Sequence, residues 1–446
     1  MARRLLTLIY VAMLLAVYPP SSEADEPEFL PVAQRVEDFA AFCKFVADEY
    51  AYFDLKNVSW ERACEFYATQ VPGATTKQAY IGLLERALGE LYDAHAHLGT
   101  NTPRSSRLVP SQTDLAAKWI DGKAIVSDVR RGAAAERAGV RRGFEIVSIN
   151  GEAVVVVVEK LEPKFLSRKD PAAREWALQV ALAGHWDHET TRLLAKTQGR
   201  TLEIEFAPTY PKPNTLLSHR FVGDVGYVAV HNSLGEPGLV PGFDQALAAL
   251  RDAKALVIDL RDTPSGGTSS VARGVLGRLV PQALPYQRHE LISEYRSSGV
   301  RRVWVELVSA REPVFVRPVV VLVGPWTGSM SEGLAIGLNA TRGAPVLGRP
   351  MAHLLGALSE TVLPHSGIAV RVPAEKLFHV DGTPREAFVP CDVPASRRTS
   401  LDADADADPE LEAAVRLASS LGRSKSRPRV EWKCAGQASH AVRVER

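Results

Sequence analysis

The spacing of apolar residues changes along the chain, and each change indicates a different kind of structure. From Val36 to Leu91 apolar residues recur at helical spacing, with breaks at residues 57–59 and at Pro72-Gly73. This pattern predicts three helices, which together form an N-terminal helical bundle at residues 30–98.

Short strands separated by glycines are predicted between about Thr113 and Pro163. The segment from Ala138 to Val154 is similar to the late half of a PDZ domain, in which Asn150-Gly151 makes a tight hairpin turn. Phe144 departs from that pattern, because an aspartate normally follows the glycine. We predict a PDZ-like β domain at 110–165. The alternative is a degenerate PDZ fold that only packs or gates.

From about Arg200 the chain alternates apolar strands with helices. Strands are predicted at 225–230, 255–260, 318–323 and 345–347, and helices at 243–250 and 331–339. Such alternation predicts a mostly parallel sheet covered by helices, with the active site at the carboxyl ends of the strands. The expected fold class is therefore α/β in a multidomain α+β chain, with the α/β domain at 200–400.

Both ends of the chain have compositions of their own. A signal peptide is predicted at residues 1–24, because Arg3 and Arg4 precede an apolar run and a small-residue pattern that ends at Ala24. We therefore expect export to a periplasmic or extracellular location. The alternative, an uncleaved anchor, needs about 20 apolar residues, more than this run supplies. At the other end, residues 409–446 are predicted to form a helix and a basic tail. The acidic run before them, residues 402–408, is interpreted as a solvated helix N-terminus rather than a calcium site.

Charge and cysteine content limit the partners. The 446 residues carry 53 Lys plus Arg and 52 Asp plus Glu, a balance that favours neither nucleic acid nor an anionic membrane as a partner. Four cysteines in an exported chain predict two disulfides, for which we favour Cys43–Cys64 and Cys391–Cys434. No CxxC element is present, and the cluster at 185–189 lacks zinc-site spacing, so we expect no metal and no cofactor.

The segment from Val319 to Leu338 is the strongest candidate for chemistry. An apolar strand and a loop at 324–328 precede Ser329, which opens a helix where backbone N–H groups, including that of Met330, can stabilise an oxyanion. This placement suits a nucleophile. The alternative is that Ser329 merely caps the helix, with Glu332 as its capping-box partner.

A second strand ends in a glycine-containing loop. After the strand at 255–260, Gly266-Gly267 lets the backbone approach a ligand closely and offer an N–H group. Asp259 and Arg261 are predicted to brace this loop by ion pairing. Two parallel strands ending in such loops predict one shared site.

Taken in order, these motifs resemble those of the tail-specific, or C-terminal processing, serine peptidases. The resemblance covers most of the mature chain, and its motifs are Asp93-Ala94-His95, the PDZ-like segment, DLRDTPSGG, WTGSMSEG, the stretch 348–356 and DGTPREAFVP. It implies a ClpP/crotonase-like peptidase domain and peptide-bond hydrolysis through an acyl-enzyme. The implied partners are protein or peptide substrates; an oligomer is possible, and no membrane span is expected after signal cleavage.

The resemblance also implies roles for individual residues. The nucleophile corresponds to Ser329, with oxyanion donors at Met330 and at Gly266 or Gly267. A lysine base is missing, because Leu354 stands near its place and the next lysine is Lys376. The tricorn-like branch instead uses a histidine, which corresponds to His95, with Glu386 as the matching carboxylate. His97 is the alternative base.

Three functional hypotheses remain open from the sequence. The first is an endopeptidase acting on C-terminal tails or unfolded segments of exported proteins, with peptide presented by strand addition to the PDZ-like domain. The second is a non-catalytic protein that binds peptides or lipophiles on the same scaffold. The third is a structural subunit of an envelope complex. Retention of Ser329, His95 and Glu386 together favours the first.

Overall fold

The computed structural model describes residues 29–187, 190–208, 214–393 and 408–423. Its first unit is helical, with α1 (Val32–Glu49), α2 (Trp60–Ala68) and α3 (Lys77–Gly89) burying aromatic and aliphatic faces against one another. Short 3-10 turns lie at Phe53–Leu55 and Val71–Gly73.

A disulfide between Cys43 and Cys64 links α1 to α2, with their Cα atoms 6.1 Å apart. It confirms the first predicted pair. The second pair, Cys391–Cys434, cannot be compared with the structure, because Cys434 lies outside the described residues. The predicted signal peptide, residues 402–407 of the acidic run and the basic tail also lie outside them. None of the helices in the described part is both long and apolar enough to cross a membrane.

The second unit is a six-stranded antiparallel sheet in the order β2-β3-β4-β6-β7, with β5 paired to β4. Its strands extend beyond residues 110–165 to Phe206, and its PDZ-like character stays a prediction. The elements are β2 (Leu115–Ile120), β3 (Lys123–Val129), α4 (Ala134–Arg137), β4 (Glu145–Ile149), β5 (Glu152–Ala153), α5 (Val154–Leu161), α6 (Pro171–Ala183), β6 (Thr191–Thr197) and β7 (Arg200–Phe206).

The central sheet has the order β14-β13-β10-β9-β8, and all of its strand pairs except the edge pair β8–β9 are parallel. This confirms the predicted mostly parallel sheet and the mixed α/β class. Helices α7, α8 and α10 cover one face, and α11 covers the other. The elements are β8 (Leu217–Val222), β9 (Val225–Val230), α7 (Leu239–Ala249), β10 (Ala255–Asp259), α8 (Ser269–Gly277), β13 (Val319–Val323), α10 (Met330–Arg342), β14 (Val346–Gly348) and α11 (Pro409–Arg423).

A third, antiparallel sheet was not predicted from the sequence. Its order is β1-β16-β11-β12, with β15 also paired to β16. Strand β1 comes from the end of the helical unit, so β16 joins that unit to the α/β domain. The elements are β1 (His97–Leu98), β11 (Leu284–Leu291), α9 (Ile292–Ser298), β12 (Arg302–Val308), β15 (Ala357–Val362), β16 (Ala369–Phe378) and a 3-10 turn at Arg385–Ala387.

Arg261 is the centre of an ion-pair network beneath the loop that follows β10. Its guanidinium contacts Asp259 at 2.6 Å, Asp408 at 2.8 Å and Glu410 at 3.1 Å, which confirms the predicted pair with Asp259. Burial alone would raise the pKa of Asp408, but hydrogen bonds and charge from Arg261 outweigh that effect and lower it. The network therefore joins α11 to the end of β10.

We expect Arg261→Met to lower the free energy of unfolding by about 2–4 kcal/mol, because three largely buried carboxylates lose a shared counter-charge. The matched control is Arg131→Met, since the Arg131 side chain is 63% exposed while contacting the same Asp408. It should cost less than about 1 kcal/mol. Urea unfolding midpoints measure both, and equal shifts for the two variants would contradict the prediction.

Candidate active site

Ser329 stands at the turn between β13 and α10 with φ 56° and ψ −118°. A positive φ is unfavourable for a residue with a Cβ, and such strain persists only where the surroundings enforce it. Here the turn is tied to the loop after β10. The N–H of Thr263 donates to the Trp326 carbonyl at 2.9 Å, and the Ser331 hydroxyl donates to the Thr263 carbonyl at 2.7 Å. The two loops are therefore held side by side.

Gly266 lies directly against Ser329. A Cβ added at Gly266 would stand 2.6 Å from Ser329 Oγ and 3.2 Å from the Met330 nitrogen, and Gly266 itself has φ 71°. Among the described residues, the N–H groups of Gly266, Gly267 and Met330 have no hydrogen-bond acceptor. The structure thus brings the predicted nucleophile against Gly266 and Met330, whereas a Cβ added at Gly267 would meet Leu234.

Glu332 is buried next to Ser329. Its carboxylate accepts backbone N–H groups from Ser329 at 2.8 Å, His353 at 2.9 Å and Leu354 at 3.1 Å. Burial raises the pKa of Glu332 to about 7, against the opposing effects of the Arg385 charge and of these donors. The contact with the Ser329 N–H is half of the capping box considered from the sequence, so helix capping and a nucleophilic role are compatible.

Arg385 was missed by the sequence analysis. Its side chain is buried, and its guanidinium donates to the carbonyls of Ser329 at 3.3 Å, Leu354 at 2.5 Å and Gly356 at 3.1 Å. No sequence signal marks a buried arginine in this position. The sequence analysis instead predicted a role for the neighbouring Glu386, because a carboxylate is the third member of the triad that the resemblance implies.

His95 is 7% exposed and is held on two sides. Its backbone N–H donates to Asp93 at 2.8 Å, and the Asp93 carboxylate also accepts the Tyr50 hydroxyl at 2.7 Å. Its Nδ1 lies 2.6 Å from the Leu355 carbonyl oxygen. A carbonyl only accepts, so Nδ1 carries the proton and Nε2 keeps a lone pair. Burial lowers the pKa of His95 to about 4, while the Leu355 contact opposes this shift and the Arg385 charge adds to it.

The other predicted residues occupy different surroundings. His97 lies in β1, and its Nδ1 contacts the His95 carbonyl at 2.9 Å. Glu386 is on the 3-10 turn beside Arg385, where burial raises its pKa. Within the described ranges no hydrogen bond joins its carboxylate to His95, so its part in a triad stays a prediction. Lys376 pairs with Asp54 at 2.6 Å.

Two family patterns match the chain. Peptidase family S41 matches residues 224–393, and the tricorn protease C1 domain matches residues 31–89. The chain is therefore a serine-type peptidase. The match to the peptidase family spans the two loops that carry Gly266 and Ser329. No curated protein matches the sequence.

Several solved structures share the fold of this chain. Mature CPAF complexed with lactacystin has a TM-score of 0.55 at 15% identity, and the photosystem II D1 C-terminal processing protease has 0.52 at 18%. A putative peptidase from Parabacteroides merdae has a TM-score of 0.52 at 14%. Each comparison covers 88% of this chain and 98% of the other.

We expect Gly266→Ala to reduce peptide hydrolysis by at least about 100-fold, comparable to losing an oxyanion donor, because the new methyl group displaces Ser329 Oγ. Gly132→Ala is the matched control, since Gly132 has φ 73° but open space around it. Both variants carry the same backbone strain, of about 1 kcal/mol. Comparing their kcat and melting temperatures isolates the contact with Ser329. Equal activity in the two variants would show that the close contact between residue 266 and Ser329 is not important for catalysis.

Proposed function

We propose that the chain is an exported serine endopeptidase in which Ser329 is the nucleophile and His95 the general base. The observation that carries the proposal is the strained backbone at Ser329, held against Gly266 beside N–H groups that have no acceptor among the described residues. A helix-capping serine needs no such strain. A nucleophile does benefit, because the turn exposes the hydroxyl beside preorganised donors.

In the proposed mechanism, His95 Nε2 takes the proton of the Ser329 hydroxyl as Oγ attacks the scissile carbonyl carbon. The carbonyl oxygen becomes an oxyanion stabilised by the N–H of Met330 and that of Gly266 or Gly267. His95 then returns the proton to the leaving amine as the C–N bond breaks. Water, deprotonated by the same nitrogen, hydrolyses the acyl-enzyme.

The hydrogen bond from His95 Nδ1 to the Leu355 carbonyl supports this assignment, because it selects the tautomer in which Nε2 is basic. The low pKa supports it as well, since the imidazole is neutral at physiological pH. We propose that Glu386 supplies the carboxylate of the triad when substrate is bound. Apo catalytic contacts are often loose and tighten in the complex.

The proposed substrates are C-terminal tails or unfolded segments of exported proteins. Unfolded polypeptide can add as a strand to an open sheet edge, a function we propose for the β2–β7 sheet. The name of the structurally similar photosystem II D1 C-terminal processing protease indicates C-terminal processing by that protein. The disulfide Cys43–Cys64 supports the proposed export, because such bonds persist in oxidising compartments.

Purified mature protein should be labelled by a serine-directed fluorophosphonate, and labelling should be lost in Ser329→Ala and fall by about 100-fold or more in His95→Ala. His97→Ala is the matched control and should label at close to the wild-type rate. The readout is in-gel fluorescence with mass spectrometry of the modified peptide. Absence of labelling in folded wild-type protein, even with unfolded polypeptide present, would favour the binding-protein hypothesis instead.

A further inference from the structure

The segment 353–356 contacts His95 directly and is linked to Ser329 through the side chains of Glu332 and Arg385. It follows β14 and leads into β15. Its first two N–H groups donate to the Glu332 carboxylate, and two of its carbonyls accept from Arg385. The carbonyl of Leu355 accepts from His95 Nδ1.

The same two charged groups also hold the nucleophile. Glu332 accepts the Ser329 N–H, and Arg385 donates to the Ser329 carbonyl, so both backbone polar groups of that residue are engaged. A backbone conformation with an unfavourable φ persists only where contacts such as these two hydrogen bonds hold it in place. Ser329 and the 353–356 segment are thus bound to one shared pair of side chains.

We propose that Glu332 and Arg385 act together as positioning residues, which keep Ser329 and His95 in register by fixing the 353–356 segment between them. This inference rests on the proposed function of Ser329 and His95, since it assigns what holds that pair together. Neither residue touches the reacting atoms in the proposed mechanism. Both act through the backbone.

The two side chains depend on each other electrostatically. Glu332 is fully buried and Arg385 is 2% exposed, and the Arg385 charge is the largest influence that opposes the burial effect on Glu332. Removing one of them leaves the other buried without compensation, which is more disruptive than removing both. Their effects on the site should therefore be non-additive.

The test uses the full mature chain with Glu332→Gln, Arg385→Gln and the double variant. Glutamine keeps the size of Glu332 but has one carbonyl oxygen for three N–H donors. Asp38→Asn is the matched control, because Asp38 is a buried carboxylate in helix α1 of the helical unit. It accepts two backbone N–H groups, from His365 at 2.9 Å and from Ser366 at 2.8 Å. Circular dichroism first establishes that each variant is folded. Glu332→Asp and Arg385→Lys replace any variant that is not.

We expect each single variant to lower kcat by about 100-fold or more, the loss typical of a mispositioned catalytic group, with KM changed less than about threefold. The double variant should lose no more than the worse single variant. Asp38→Asn should lower the melting temperature without changing kcat. Folded Glu332→Gln or Arg385→Gln with near wild-type kcat would overturn the proposal.

A second readout is independent of catalysis. Long-range ¹H–¹⁵N spectra of histidine-labelled protein identify which nitrogen of His95 carries the proton. The proposal predicts the Nδ1–H tautomer in wild type and a mixture of tautomers in Glu332→Gln. If wild type never labels with fluorophosphonate yet this change occurs, the proposed function fails while the positioning role stands. An unchanged His95 spectrum refutes the link through Leu355.

The pH profile adds a third readout. Glu332 lies near the Arg385 charge and accepts the backbone N–H of His353, and burial lowers the pKa of His95 to about 4. The ionised carboxylate is the better acceptor and counter-charge, so kcat should fall as the pH drops through about 7. This limb should disappear in Glu332→Gln, leaving the limb near pH 4. A limb near 7 that persists in the variant would contradict the assignment.

Discussion

The parallel pairing of β10 with β13 is the constraint on which the site depends. Leu256 to Asp259 pair in register with Val319 to Leu322, so both strands end at the same edge. The loops that follow continue this pairing through the bridge between Thr263 and Thr327. Because the backbones are tied there, the Gly266 loop and the Ser329 turn approach to van der Waals distance. A slip of one residue would shift one loop by about 3.3 Å relative to the other and separate them.

Strand β16 supplies the second half of the arrangement. It pairs with β1, which directly follows His95, and the N–H of Ala51 donates to the Pro373 carbonyl at 2.8 Å. The helical unit is thereby docked on the α/β domain through backbone hydrogen bonds. The loop that carries His95 is placed by a sheet rather than by a flexible connection. Such placement suits chemistry that fails when the reacting groups move by about 1 Å.

Burial determines the behaviour of the ionisable side chains at the site. Burial keeps His95 neutral, and it raises the pKa of Glu332 into the physiological range. The guanidinium of Arg385 donates its hydrogen bonds to backbone carbonyls. Buried charges of this kind contribute little net stability, but they specify one geometry because a misplaced partner is costly. These buried charges therefore fix the geometry of the site but add little to the free energy of unfolding.

Local signals in the sequence determined the parallel strands, the glycine loop, the helix start at Ser329 and the candidate His95. Apolar runs, turn residues and motif order operate over a few residues and need no knowledge of contacts. The third sheet, the role of Arg385 and the Leu355 partner of His95 were decided only by tertiary structure. His95 and Leu355 are 260 residues apart, and their contact follows from β1–β16 pairing. No short pattern encodes a hydrogen bond to a backbone carbonyl, because every residue has one.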